Sequence, residues 1–181
     1  MAVAPGPTLE TERLILRPPA DVDLDAWATL MADPEAARFI GGVQPRALVW
    51  RGMASMAGSW ALHGFGMFSV IEKSSGAWIG RIGPWRPDGW PGDAIGWGLL
   101  PSAQGRGYAV EAATATMDWA FDRLGWTDII HCIDPENVPS RQVAIRLGAT
   151  NRGPGKLPPP HEASKVELWG QTVDQWRSRR R

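Results

Sequence analysis

The chain has 181 residues, and its 19 basic and 19 acidic side chains give a formal net charge of zero at pH 7. This length fits one domain with a substantial core. The balanced charge excludes a global field that would steer the protein to nucleic acid or to an anionic membrane. A single cysteine excludes an intramolecular disulfide framework and fits a reducing compartment.

The sequence carries no sign of targeting to a membrane. No basic segment precedes an apolar one near its start, and no apolar run approaches the ~18 residues of a membrane span. We therefore expect a cytoplasmic protein of one domain, residues 1–181, with loose termini over 1–7 and 177–181. We expect a monomer or a homodimer, with neither nucleic acid nor a membrane among its partners.

The first half of the chain predicts a strand, two main helices and a hairpin. Pro18 stops an alternating segment, and Asp21 or Asp23 caps the helix that follows. Pro45 opens the second helix, because proline fits the first helical position. The predicted elements are a strand at 8–17, a helix with Leu24, Trp27, Leu30 and Met31 on one face, a short piece at 34–39, a helix at 45–62, and a hairpin of 65–73 with 77–85.

The second half continues the alternation of strands and helices. Its predicted elements are a strand at 93–100, a helix at 105–124, a strand at 128–133, a helix at 139–147 and a strand at 163–169 after a loop at 153–160. Gly125 and Gly148 stand where left-handed caps end helices. The order β-α-α-β-β-β-α-β-α-β-β predicts a mixed α/β fold.

The most informative segment joins the strand at 93–100 to the helix that follows. We call Gln104–Ala109 the glycine loop. Gly105 and Gly107 let the backbone curl so that several N–H groups point to one place, and the helix start adds unpaired amides and the positive end of its dipole. This arrangement predicts a site for a phosphate or pyrophosphate. A plain glycine-rich turn between strand and helix is the alternative.

Two common phosphate-binding loops do not match these residues. A Walker loop needs Lys-Ser or Lys-Thr after its last glycine, but Tyr108 and Ala109 follow Gly107. A dinucleotide-binding fingerprint needs a small third residue, where this chain has Val110. Both classes are therefore excluded.

Gln104, Gly107 and Ala109 form a Gln-x-x-Gly-x-Ala pattern that resembles the acetyl-CoA pyrophosphate loop of the GNAT (general-control-related N-acetyltransferase) superfamily. Further segments match in order, over roughly residues 8 to 176. They are Thr11–Arg17, Ile95–Trp97, Glu111–Ala113, Asp134–Arg141 and Arg146–Ala149. The Pro-x-Asn-x-x-Ser pattern within Asp134–Arg141 resembles the branch that acetylates N-terminal alanine or serine of ribosomal proteins.

The resemblance implies a fold, a cofactor and a reaction. The fold is a mostly antiparallel mixed sheet of roughly six or seven strands flanked by about four helices. The reaction is acetyl transfer from acetyl-CoA to a primary amine, on a protein N-terminus or a small molecule, by direct attack in a ternary complex. The residues implied at the cofactor are Trp97, Leu99, Leu100, Gln104, Gly105, Arg106, Gly107, Tyr108, Ala109, Asn137, Ser140 and Arg141. An acyl-CoA-binding module with little or no turnover is the alternative.

The resemblance also implies catalytic roles. Arg106 would add charge near the pyrophosphate, and a backbone N–H at Leu99 or Leu100 would face the developing oxyanion. Asn137 and Ser140 would grip the cofactor arm and its leaving sulfur. A plain helix cap at Asn137 and an ordinary first-turn serine at Ser140 stay open as alternatives.

Two departures from the family pattern leave the general acid and base unassigned. Many relatives place a tyrosine four residues before the helix-closing glycine, where this chain has Ala144. Relatives also often carry a glutamate just before the Ile-Gly-Trp strand, where this chain has Ala94 after Asp93. Catalysis would then depend mainly on positioning.

Trp85, Trp90 and His161 are candidates for binding the acceptor, which would enter between the first two helices and the loop at 154–161. Cys132 beside His131 does not predict a nucleophile–base pair, because neighbours in a strand point to opposite faces. The three histidines lack metal-ligand spacing, so no metal is expected. The basic ending 177–181 fits a solvated tail, with contact to RNA or the ribosome as the alternative.

Overall fold

The computed structural model describes residues 6–180, which form one sheet with helices on both faces. The strands are β1 (Leu9–Glu10), β2 (Leu14–Arg17), β3 (Phe68–Glu72), β4 (Trp78–Trp85), β5 (Ala94–Leu99), β6 (Asp128–Ile133), β7 (Thr150–Gly155) and β8 (Val166–Thr172). The helices are α1 (Leu24–Ala32), α2 (Pro34–Ala37), α3 (Arg46–His63), α4 (Tyr108–Trp119), α5 (Val138–Leu147) and α6 (Val173–Ser178). A π-helical turn, Ala120–Leu124, extends α4.

The sheet opens between its two central strands. The strand order is β1-β2-β3-β4-β5-β6-β8-β7, and every neighbouring pair is antiparallel except β5 with β6. These two parallel strands are in register only at Ala94 and Ile130, where the Ile130 amide donates to the Asp93 carbonyl oxygen at 2.9 Å. Beyond this pair they separate. We call the opening between residues 95–99 and 131–133 the strand gap.

The helices are divided between the two faces of the sheet, because successive residues of a strand point to opposite sides. Leu99 of β5 belongs to a buried cluster with Ala113 and Met117 of α4. A Cβ atom placed on the adjacent Gly98 would meet Ile40 at 3.2 Å, in the segment after α2, and Leu30 of α1 at 3.9 Å. Therefore α4 covers one face, and α1, with α3 packed against it, covers the other.

The apolar periodicity of the sequence accounts for this packing. On α1, Trp27 and Leu30 repeat at helical spacing and pack with Val49 and Met53 of α3 against Trp78 of β4. Each large apolar side chain buried in this way stabilises the fold by about 1.5–3 kcal/mol.

The predicted fold class is confirmed, and the predicted helices at 45–62, 105–124 and 139–147 match α3, α4 with its π-helical turn, and α5. Within residues 6–180 there are eight strands and six helices, more than expected. The strand predicted at 8–17 is interrupted, because the Leu14 amide donates to the Thr11 hydroxyl at 3.0 Å and turns the chain between β1 and β2.

The sequence did not locate β7 or α6. β7 contains Gly153, Pro154 and Gly155, lies at the edge of the sheet beside β8 and is largely exposed, so it has no apolar alternation. α6 has six residues, too few to show a helical period, and a capping box between Thr172 and Gln175 starts it.

The prediction of a loose terminus from residue 177 is wrong for the part that the structure describes. Arg177 lies in α6 and pairs with Asp122 at 3.1 Å, and Arg180 pairs with Asp118. These contacts fasten the basic ending to the turn after α4 and to α4 itself. Arg181 lies outside the described residues, as do residues 1–5 of the predicted lead-in.

None of the helices in residues 6–180 combines the length and apolarity needed to cross a bilayer.

Candidate functional site

The glycine loop presents a series of unused backbone donors. The backbone amides of residues 105–110 have no hydrogen-bond acceptor within residues 6–180. The next amide along the chain, that of Glu111, donates to the Gly107 carbonyl oxygen at 3.1 Å. Gly105 and Gly107 have φ values of 72° and 81°, in the left-handed region that favours glycine. The loop thus gathers free N–H groups at the N-terminus of the 12-residue helix α4.

The β1–β2 turn anchors the loop. Arg13 donates from Nη1 to the Arg106 carbonyl oxygen at 3.0 Å and from Nε to Glu111 Oε2 at 2.7 Å. Thr11 donates its hydroxyl to Glu111 Oε1 at 2.6 Å. Burial acts to raise the pKa of Glu111, but the hydrogen bonds from Thr11 and Arg13 outweigh it, so the pKa is lowered and the carboxylate stays charged.

Tyr108 is buried, whereas the Arg106 side chain is about half exposed, and both reach the Glu72 carboxylate. The Tyr108 hydroxyl donates to Glu72 Oε1 at 2.5 Å, and Arg106 Nη2 lies 3.1 Å from the same oxygen. Hydrogen bonds from Ser75 and then Tyr108 lower the pKa of Glu72, and the bond to Glu72 raises that of Tyr108. The predicted charge contribution of Arg106 is therefore directed to Glu72. The Arg13 Nη2 atom lies 3.5 Å from the Cβ position of Gly107 and 2.6 Å from Glu111 Oε2.

The edge of β5 that faces the strand gap also carries free donors. The Leu100 amide donates to the Ile79 carbonyl oxygen at 2.9 Å. Hydrogen-bonded and non-hydrogen-bonded pairs alternate in an antiparallel ladder, so the amides of Trp97 and Leu99 face away from β4 and toward the gap. The amides of Leu99 and Leu100 are the two predicted donors to the oxyanion. This prediction is wrong for Leu100, because its amide already donates to the Ile79 carbonyl oxygen. For Leu99 it stays a prediction. Gln104 donates from Nε2 to the Leu99 carbonyl oxygen at 3.1 Å and braces this end of the strand.

A histidine, a tryptophan and a serine meet in the strand gap. Trp97 donates its indole N–H to Ser140 Oγ at 3.1 Å, and its ring lies 4.9 Å from that of His131. Asn137 Oδ1 accepts from the Ser140 amide at 3.1 Å, so Asn137 is the N-cap of α5. Because the Ser140 hydroxyl accepts from Trp97, its own proton is free to be donated.

His131 is buried and neutral. Only 1% of its surface is exposed, and burial lowers its pKa to about 4. Its Nδ1 lies 2.8 Å from the Ile95 carbonyl oxygen, a pure acceptor, so we assign the ring proton to Nδ1. Nε2 then presents a lone pair, and it has no partner among residues 6–180. The sequence analysis missed this group because its role depends on the separation of β5 and β6.

A groove of ≈ 910 Å³ reaches the strand gap from the side of α1 and α3. The predicted acceptor residues Trp85, Trp90 and His161 all line it, as do Trp97, Asn137 and Ser140. The glycine loop does not line the groove in the described part of the chain. A ligand in the loop and a ligand in the groove can therefore approach the gap from different directions.

Arg141 and Cys132, which the sequence analysis also considered, are both in contact with the surrounding protein. Arg141 donates from Nη1 to the Pro135 carbonyl oxygen at 3.3 Å and stacks over Trp169, with 5.8 Å from its Cζ to the ring centroid. Burial raises the pKa of the Cys132 thiol to about 12, so it is neutral and unsuited to be a nucleophile. Within residues 6–180 no cluster of three or more His, Cys, Asp or Glu side chains is arranged to hold a metal ion.

Comparison with known proteins identifies the family. Residues 13–150 match the family described as an acetyltransferase (GNAT) domain, and the chain belongs to this family. It is 33% identical over 150 residues to the uncharacterized N-acetyltransferase p20 of Bacillus licheniformis, covering 81% of this chain and 84% of p20. It is 35% identical over 86 residues to the uncharacterized N-acetyltransferase YnaD of Bacillus subtilis, covering 48% of this chain and about half (51%) of YnaD.

Solved structures agree with this assignment. An acetyltransferase from Agrobacterium tumefaciens superposes with a TM-score of 0.79 at 33% identity, covering 91% of this chain and 94% of that one. A ribosomal-protein acetyltransferase from Vibrio fischeri superposes with a TM-score of 0.72 at 20% identity, covering 93% and 98%. The second likeness shows a shared fold alone.

Proposed function

We propose that this protein is an acetyl-CoA-dependent N-acetyltransferase, which transfers the acetyl group to a primary amine by direct attack in a ternary complex. The observation that carries the proposal is the line of unused backbone donors. It runs from the amides of residues 105–110 to those of Leu99 and Trp97 at the strand gap. The groove reaches the same gap from the other face, which gives the amine a separate entrance.

The residues of the loop and the strand edge fit coenzyme A. A pyrophosphate suits the amides of the glycine loop, and the space around the Cβ position of Gly105 is open. An amide-rich pantetheine arm suits the free edge of β5, where Trp97 and Leu99 provide N–H groups in the manner of an added strand. The Arg13 guanidinium, which is paired with Glu111, lies beside Gly107. Acetyl-CoA, when bound, supplies a thioester activated for attack by an amine.

The side chains in the gap supply the remaining chemistry. The amine nitrogen forms a bond to the acetyl carbon as the carbon–sulfur bond breaks, and the amine proton must leave. His131 Nε2, whose lone pair is free among residues 6–180, accepts a hydrogen bond from the amine, and the proton passes on to water because burial keeps the imidazole neutral. The Leu99 amide faces the negative charge that develops on the carbonyl oxygen. Ser140, whose proton is free, donates to the leaving sulfur.

The test is amine-dependent release of the CoA thiol. We expect the purified protein to release thiol from acetyl-CoA only when a suitable amine from a panel of N-terminal peptides and small amines is added. Ser140→Ala should lower kcat at least about tenfold, because the leaving sulfur loses its donor, with little change in the Kd for acetyl-CoA.

Ser178→Ala, on the exposed end of α6, is the matched control and should keep the wild-type kcat. If acetyl-CoA binds but no amine in the panel stimulates thiol release, the alternative of an acyl-CoA-binding module is favoured. Wild-type kcat in Ser140→Ala would remove the role assigned to that hydroxyl.

A further inference from the structure

Arg81 is a buried cation that faces the groove. It lies on β4, in register with Ser69 on β3 and Gly98 on β5, and only 8% of its surface is exposed. No side chain or backbone group in residues 6–180 makes a hydrogen bond or ion pair with its guanidinium, and its Nε is buried without an acceptor. Its side chain lines the groove.

The Asp23 carboxylate, which lies on the same side of the sheet as Arg81, is already hydrogen-bonded. Asp23 receives two hydrogen bonds from Arg17, at 2.8 and 2.7 Å, and further bonds from the Ala20 amide and the Ser69 hydroxyl. Since Ser69 and Arg81 are paired across the strands, Asp23 occupies the same side of the sheet, but its lone pairs are committed. At the rim of the groove, the Glu136 carboxylate likewise pairs with Arg38, at 2.7 Å.

Because Arg81 has no counter-ion among the described residues, its burial lowers the stability of the folded protein. A buried charge without a counter-ion costs several kcal/mol. Burial alone lowers the pKa of Arg81 to about 10, so the group keeps its charge at neutral pH. Because the cost is present without a ligand, an anion from outside would relieve it.

The surroundings of Arg81 select the kind of anion. Trp27, Met31, Met56 and Trp85 line the groove with Arg81, and the Arg81 Cζ atom lies 5.7 Å from the Trp27 ring centroid. A guanidinium fork matches the two oxygens of a carboxylate. A carboxylate brings one negative charge to one positive charge, whereas a phosphate dianion would leave excess charge among apolar walls.

We propose that Arg81 binds a carboxylate on the acceptor, so that the substrate class is a small amine of the amino-acid type with an apolar body. This inference rests on the proposed function for the amine, but the carboxylate site itself stands on the geometry of Arg81.

The first arm of the test measures binding without turnover. Isothermal titration of the protein with aryl-propionates and with their carboxamides should show binding of the acids only. Arg81→Met should weaken binding of the acids at least tenfold, and Arg81→Lys should fall between, because it keeps the charge but loses the fork. Arg177→Met, on α6, is the matched control. Arg81→Met should also have an unchanged or raised Tm, because an apolar side chain removes the buried charge.

The second arm measures turnover with paired acceptors, an amino acid and its carboxamide. The wild type should favour the acid at least tenfold in kcat/KM, mainly through KM. Arg81→Met should lose this preference while its Kd for acetyl-CoA stays unchanged.

Three results would overturn the assignment. They are equal binding of acids and carboxamides by the wild type, unchanged discrimination in Arg81→Met, and tighter binding of inorganic phosphate than of the acids. If the Arg81 variants fail to fold, the comparison of acids with carboxamides on the wild-type protein still tests whether a carboxylate is bound. Binding of carboxylates by a protein that acetylates no amine would leave the Arg81 site standing and remove the proposed function instead.

Discussion

The His131 imidazole is a buried polar ring at the strand gap. Its Nδ1 is hydrogen-bonded, whereas its Nε2 has no partner among residues 6–180. The bond from Nδ1 to the Ile95 carbonyl oxygen fixes the tautomer, and burial keeps the ring neutral. This burial makes the charged ring unfavourable in the folded protein.

This burial predicts a pH dependence of stability. The pKa of His131 is about 4 in the folded protein against an ordinary value of 6.5, so the unfolded chain binds the proton more tightly. The contribution of His131 is neutral to stability above about pH 6.5 and becomes unfavourable as the pH falls toward 4. The loss should exceed about 1 kcal/mol by pH 5.5 and approach about 3 kcal/mol below pH 4.

Urea unfolding of the wild type and of His131→Gln, from pH 7.5 to pH 4.5, measures this loss. The wild type should lose stability relative to the variant as the pH falls. His63→Gln, at an exposed position, should follow the wild type. A constant difference between wild type and His131→Gln across this range would show that the ring is not held neutral by burial.

At the scale of the elements, the glycine loop depends on the turn between β1 and β2. Arg13 joins the Arg106 carbonyl oxygen to the Glu111 carboxylate, so the first turn of α4, the loop and the N-terminal strands form one unit. The loop conformation, with its two left-handed glycines, is held by this bridge rather than by the loop sequence alone.

Breaking the bridge should weaken cofactor binding. Arg13→Ala removes both the support of the Arg106 carbonyl group and the charge beside Gly107, and we expect the Kd for acetyl-CoA to rise about tenfold, or ~1.4 kcal/mol. Isothermal titration measures this change. Arg177→Ala, which breaks the exposed pair with Asp122, should leave the Kd unchanged. Equal affinities for Arg13→Ala and wild type would show that the loop holds its form without the turn.

Local signals in the sequence account for what could be predicted. The helices α1 and α4 carry apolar periodicity, Pro45 marks the start of α3, and the glycine loop is contiguous with the helix that it starts, so all of these could be found from neighbouring residues. Short or exposed elements such as β7 and α6 offer no such pattern.

The parts of the site that escaped prediction are long-range. Arg81 meets the groove only because β4 pairs with β5, and His131 meets Ile95 only where β5 and β6 begin to separate. The Arg13 guanidinium reaches Gly107 across the fold. Each of these contacts depends on strand register, which the residues concerned do not encode locally.

At the scale of the whole molecule, the sheet lies between the two proposed binding regions, the glycine loop and the groove, and opens at the strand gap. The glycine loop and the free edge of β5 lie on the side of α4, and the groove lies on the side of α1 and α3. His131, Trp97 and Ser140 occupy the point between them. A protein built in this way can hold a donor and an acceptor at once, which direct transfer requires.

The central claim is that the amides of the glycine loop bind the pyrophosphate of coenzyme A, and titration of acetyl-CoA into Gly107→Trp tests it most directly. Gly153→Trp is the matched control, because Gly153 also has a positive φ, 97°, and open space around its Cβ position, on β7. We expect Gly107→Trp to raise the Kd at least ~100-fold, about 3 kcal/mol, and Gly153→Trp to leave it unchanged. Wild-type affinity in a folded Gly107→Trp variant would contradict the claim.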